Sequence, residues 1–283
     1  MASSYLNIVT FLLTTLFYYF SIKPTLKLDI FMNPEQSKLF LKNSYMYLAI
    51  YVLLVIVIQF IVNSYVITST CGGNITDNMG AAGIYTFIPW SLIFGAVILI
   101  LSIYPGFKTA FSDVIGYFFV SSTANKLLTE LLIDREIQTK IDNDKQLSHE
   151  KKEELQTAAD AIIKIFGNTS ILINQIVPNT FPRYWDILKP LMKEKYQTNS
   201  PLSDDIKNQL FDLVVTRDNV GEAMWFIYTG ILLTSIVQMK LTVRGCTNNP
   251  KTMEKNYQTF LEQENAAKSQ QQLATSSTYT ITS

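Results

Sequence analysis

The sequence is poor in the side chains on which most catalytic sites are built. It has one histidine and two cysteines in 283 residues. His149 stands alone in the charged run Ser148-His149-Glu150-Lys151-Lys152, and neither a nucleophile triad nor a zinc set can be assembled around one imidazole. The nearest approach to a phosphate loop, Cys71-Gly72-Gly73, lacks both the lysine and the strand-to-helix setting that such loops use. Carboxylates are plentiful in the middle of the chain, but they are spaced as on a solvated helix and no two stand out as acid and base. We therefore expect no catalytic residues, no cofactor, no metal and no enzymatic activity.

Net charge is lacking too, with 23 Lys and Arg against 23 Asp and Glu. Acids and bases are interleaved, so no basic face is left for nucleic acid, which we exclude as a partner. Charge is also missing from particular places. The apolar residues lie in a few uncharged blocks, where a soluble core would be assembled from short amphipathic segments with charges every few residues.

Four blocks qualify as membrane spans. Residues 5–22 end at Lys23-Pro24, and their aromatics Phe17, Tyr18, Tyr19 and Phe20 suit an interfacial belt, so we read them as a retained anchor rather than a signal peptide. Residues 45–67 carry only Gln59, Asn63 and Ser64 as strongly polar members, and these are expected to face other helices. Residues 86–104 have Pro89 in the expected first turn and stop at Pro105-Gly106. Residues 223–239 lie between Glu222 and Lys240, and their small residues Gly230, Thr234 and Ser235 offer a close-packing face. Glu222 is expected to sit at the interface or to pair with Arg217 or Lys240, rather than to gate anything. With no ionisable group inside the blocks, a pump is disfavoured.

The expected fold class is all-α: a polytopic membrane protein of about four transmembrane helices with a helical polar insert between the third and fourth. Its regions are a three-helix membrane part (1–104), the insert (105–219), the fourth span (220–239) and a polar, partly disordered tail (240–283). Four crossings place the 23–44 loop and the insert on one side, and the 70–85 loop and the tail on the other. Lys23, Lys27, Lys38 and Lys42 mark the insert's side as cytosolic, while Lys240, Arg244, Lys251 and Lys255 in the tail oppose that assignment. The same topology brings Cys71 and Cys246 to one face at similar depth, each beside glycine. They are a candidate disulfide stapling the second and fourth helices, the alternative being two unrelated loop thiols. Asn74-Ile75-Thr76 and Asn168-Thr169-Ser170 match the glycosylation pattern, but the first hugs the membrane and the second falls on the insert's side, so neither is expected to be used.

Within the insert, 111–133 is apolar at helical spacing but interrupted by Asp113, Asn125, Lys126 and Glu130, which suits a helix on the bilayer or against the spans better than a fifth crossing. Residues 134–166 read as a solvated helical hairpin ending at Gly167. Tyr184 and Trp185, framed by Pro178, Pro182 and Pro190, are a candidate partner contact, with packing on the membrane surface and a small core as the alternatives. A further helix is expected from Pro201, with Ser203 as its cap.

Two stretches carry a likeness to a known group: Ile88-Pro89-Trp90 through Tyr104-Pro105-Gly106-Phe107-Lys108 into Phe111-Ser112-Asp113-Val114-Ile115-Gly116-Tyr117, and Arg217-Asp218-Asn219-Val220-Gly221-Glu222-Ala223-Met224-Trp225 with Thr229-Gly230. Together these parts of the chain resemble multi-spanning membrane proteins of nucleocytoplasmic large DNA viruses, which carry an internal bilayer beneath an icosahedral capsid. The resemblance covers about a third of the chain and brings no active-site residues. It implies a virion membrane protein that ties the inner bilayer to minor capsid proteins or organises the membrane during assembly. Its expected partners are the lipid bilayer, capsid or other virion membrane proteins, and a possible homo-oligomer. A cellular membrane scaffold or a small channel-like protein would present the same sequence features.

Overall fold

The computed structural model describes residues 2–72, 74–132, 169–198, 200–244 and 250–276. Among them there is no strand, only an isolated antiparallel bridge between Leu132 and Met192. Helix α1 (Ala2–Phe17) continues as a π-turn (Tyr18–Ile22), and a short α2 (Leu28–Met32) leads into α3 (Pro34–Cys71). Asn33 caps α3, its side chain accepting from the Glu35 and Gln36 amides, and Pro34 at the first position has no amide to satisfy. Helix α4 (Ile75–Pro89), a π-turn (Trp90–Phe94) and α5 (Gly95–Ile103) form the third long rod.

The insert begins with a 3-10 turn (Pro105–Lys108), the brief α6 (Thr109–Phe111), a π-turn (Ser112–Gly116) and α7 (Tyr117–Leu131). After 133–168, which lie outside the described residues, come α8 (Thr169–Gln175), α9 (Phe181–Leu188) and α10 (Glu194–Gln197). Helix α11 (Pro201–Arg244) then runs from the insert through the last apolar block, and α12 (Pro250–Ser276) follows. Four of these rods are long and apolar enough to cross a membrane: Tyr5–Ile22, Pro34–Cys71, Ile75–Ile103 and Pro201–Val243.

Several boundaries differ from expectation, each for a local reason. The loop expected at 70–85 shrinks to a tight turn. Gly72 takes a φ of 71°, which L side chains rarely adopt, and Asn74 and Asp77 form a capping box that starts α4 early. Pro89 therefore stands inside the rod, and the widened turn at Trp90–Phe94 follows it. The helix expected from Pro201 and the fourth span are one 44-residue helix, because no proline interrupts the stretch and Gly221 alone does not break it. Ser200, rather than Ser203, caps it: its hydroxyl accepts from the Ser203 amide at 3.2 Å, while Ser203 donates to the Tyr196 carbonyl. The tail expected to be partly disordered contains the 27-residue α12, built largely of Gln, Ala, Lys and Glu, which favour helix.

Two apolar cores result. In the span bundle, Phe11, Tyr18, Tyr51, Trp90, Phe94 and Phe226 interlock through ring contacts; Tyr18 stacks on Tyr51 at 4.4 Å. In the insert, Leu128, Leu131, Ile173, Phe181, Phe211 and Val214 bring α7, α8, α9 and α11 together. The buried side of α7 belongs to this second core, so α7 packs along α11 on the insert's side.

The expected close-packing face is real at Gly230. A Cβ there would lie 2.0 Å from the Phe11 ring, itself fully buried among Trp90 and Phe94 and unable to swing away. Gly230→Ala is expected to destabilise the bundle by about 1–3 kcal/mol, the usual cost of overpacking. A lowered melting temperature in detergent, partly recovered by adding Phe11→Leu, is the measurement that checks it.

Candidate functional site

The feature that stands out chemically is the seam where the insert meets the spans. Lys23 ends the first span, Lys108 follows the third and Glu222 opens the fourth, so a bundle of alternating direction gathers all three at one end. Glu222 Oε1 accepts from the Tyr19 hydroxyl at 3.0 Å and from the Lys23 ammonium; its Oε2 lies 2.7 Å from Lys108 Nζ, which also reaches Asp218 Oδ2 at 3.1 Å. The Lys23 ammonium additionally sits 4.7 Å from the centre of the Tyr19 ring, where the π face attracts it. Two ammonium groups meet two carboxylates, and their side chains are only 13–18% exposed. Burial works to lower the pKa of Lys108, but Glu222 and Asp218 outweigh it and hold that pKa above the usual lysine range. At Lys23 burial prevails over Glu222 and the direction is downward.

Neighbouring contacts close the seam. Arg217 is fully buried; it donates to the carbonyls of Ile173 and Ile176 and to Asn174 Oδ1, and stands 3.9 Å from Asp113. Trp225 donates its indole N–H to the Phe107 carbonyl at 2.8 Å. Close approach of the backbones needs glycine twice: a Cβ at Gly221 would strike Ser112 and the Lys108 carbonyl, and one at Gly116 would strike Arg217. The expected pairing of Glu222 with Arg217 or Lys240 is corrected. Arg217 lies five residues away, about 140° around the helix, and faces the insert. Lys240 lies 18 residues on, at the other end of the span, about 27 Å away.

A second polar layer lies deeper. Asn7 donates to Asn63 Oδ1 and Gln238 Oε1, both at 2.9 Å; Gln59 donates to the Asn7 carbonyl, and Asn63 to the Thr86 hydroxyl. All four spans contribute, and Gln59, Asn63 and Ser64 are buried against protein as expected. This layer also measures depth. Asn63 and Gln238 meet the same side chain on two parallel helices, Cys71 is eight residues beyond Asn63, and Cys246 is eight beyond Gln238 in sequence. Cys71, the last residue of α3, is disulfide-bonded; Cys246 lies outside the described residues.

Of the other singled-out residues, Trp185 is buried in the insert core and Tyr184 is half-buried at its edge. The pair therefore serves the small-core reading, and Trp185 offers no exposed ring to a partner. His149, the 134–166 hairpin and Asn168 lie outside the described residues. Among the described residues no three His, Cys, Asp or Glu side chains are grouped to hold a metal. In the sequence Lys23 stood as the end of the first span and a mark of the cytosolic side, and Lys108 only as part of a stretch that carries the resemblance. Their opposite sign to Glu222, on the same expected side, was a signal that could have joined them. Comparison with protein-family models, curated proteins and solved structures found no match.

Removing the shared acceptor leaves two ammonium groups buried and repelling. Glu222→Gln is expected to destabilise the fold by about 3–5 kcal/mol, as for other broken buried pairs. Asp212→Asn, which removes the partner of the half-exposed Lys27 at 2.9 Å, should cost less than about 1 kcal/mol. Thermal unfolding of both variants in detergent measures the contrast, and equal shifts would contradict it.

Proposed function

We propose that this chain is a structural membrane protein of a virion, holding its insert at a fixed height above an internal bilayer so that the insert can contact capsid or other virion proteins. One observation supports this reading most. The two stretches that resemble viral membrane proteins lie about a hundred residues apart, yet they are the stretches that fold against each other at the seam. Lys108 meets Asp218 and Glu222, Ser112 meets Gly221, Gly116 meets Arg217, and the Phe107 carbonyl meets Trp225. What the resemblance carries is thus a rigid joint. Such a joint suits a spacer between a membrane and a protein layer, because a continuous α11 transmits load directly from insert to span.

The scaffold reading expects the protein in purified virions at structural copy number, in the detergent-soluble fraction, by quantitative mass spectrometry. Absence from virions, or ion flux in proteoliposomes above that of empty vesicles, would replace it with the cellular scaffold or the channel reading.

We propose further that Cys246 is the partner of Cys71, which the shared depth marker of Asn63 and Gln238 supports. The tail would then face an oxidising compartment and the insert the cytosol, in agreement with Lys23, Lys27, Lys38 and Lys42. Peptide mapping without reductant should recover a linked Cys71 and Cys246 peptide, and protease added to sealed membranes should cut the insert and the tail from opposite sides. Recovery of Cys71 linked to a second chain, or cleavage of both regions from one side, would refute this arrangement.

A further inference from the structure

The outward face of the segment that follows the third span changes character at one height. Phe107 is 54% exposed, Val114 69%, Phe118 77% and Phe119 68%. Beyond Phe119 the exposed positions of α7 are Ser122, Thr123, Asn125, Lys126, Thr129 and Glu130, all polar. A soluble surface gives no reason for large apolar side chains to stop so abruptly along one helix.

Helix geometry supplies the height. Gly116 abuts Arg217, which precedes Glu222 by five residues, about 7.5 Å along α11, so Phe118 stands about 10 Å above the Glu222 seam. Between Glu222 and Lys240 the span measures about 27 Å, close to a hydrocarbon core, and headgroups extend a bilayer to about 40–45 Å in all. Headgroups thus reach about 6–9 Å past the seam, and the Phe118 Cα lies just outside that layer. Helical side chains lean toward the N-terminus of their helix, and α7 begins at the membrane end, so both rings lean back into that layer. The patch also continues the apolar outer face of the third span through Leu99, Ile103 and Phe107.

We propose that Val114, Phe118 and Phe119 form a collar immersed in the lipid headgroup region of the leaflet beneath the insert. Lipid is the occupant, because the patch is continuous with the span surface and ends where a leaflet would end. The collar sets the depth of the insert. It rests on the reading of the four helices as membrane spans.

The test replaces Phe118 with photoreactive p-benzoylphenylalanine in the full chain, reconstituted in phosphatidylcholine and phosphatidylserine vesicles; Phe119 carries the same group in a second variant. Two reference positions separate the outcomes. Leu99 is an exposed residue of the third span, and Ile187 is an exposed residue of α9, whose neighbour Trp185 packs beneath Lys207 high in the insert. Illumination should give lipid adducts at Leu99 and at Phe118 or Phe119 well above those at Ile187. Lipid adducts at Leu99 with collar positions no higher than Ile187, or collar adducts confined to a second copy of the chain, would overturn the collar alone. No lipid adduct at Leu99 would overturn the membrane reading beneath it.

Discussion

The architecture turns on one carboxylate. Glu222 lies where the fourth span leaves the insert, and it receives a lysine from each of two other connections, Lys23 and Lys108, together with the Tyr19 hydroxyl. A carboxylate that is mostly out of water is costly unless its lone pairs and charge are met. Here they are met only when the first, third and fourth rods have the right height and direction relative to one another. The charge balance of the seam therefore imposes a register that apolar packing alone would leave loose, since apolar surfaces slide past one another at little cost.

The amide layer around Asn7 repeats this logic at the other end of the bundle with neutral groups. Each of its hydrogen bonds joins different rods, and a shift of either partner by one turn would leave an amide unpaired in an apolar interior. The two layers bracket the aromatic core of Phe11, Tyr51, Trp90, Phe94 and Phe226, whose rings fill the space between them. Polar layers at both ends and apolar mass between them divide the work of specifying and stabilising the bundle.

Above the seam the chain changes from a bundle with outward apolar surface to an insert with an inward core. Helix α11 belongs to both. Its Phe211 and Val214 are buried in the insert, and its Phe226 and Leu233 in the bundle, so neither part can rotate without the other. Arg217 sits at the changeover and is fully buried, held by backbone carbonyls of Ile173 and Ile176 from the segment around α8. A guanidinium spreads its donors over a rigid planar fork and so meets carbonyls set apart from one another, whereas a lysine offers all its donors from a single nitrogen.

The four membrane-length helices could be read from sequence, because charge exclusion from hydrocarbon acts on composition over about 20 residues and needs no knowledge of neighbours. So could the inward facing of Gln59 and Asn63, which follows from where polar groups can be satisfied. Boundaries were less legible. The start of α4 at Ile75 and the fusion of Pro201 with the fourth span depend on the capping at Asn74 and on neighbours that favour helix across Gly221. What only the tertiary structure decided is which charges meet. Lys23, Lys108 and Glu222 are far apart in the chain, each looks like an ordinary span-end residue, and their union depends on the angular position of every rod about its own axis. That angle is set by packing among side chains distant in sequence, a long-range property that no local pattern encodes.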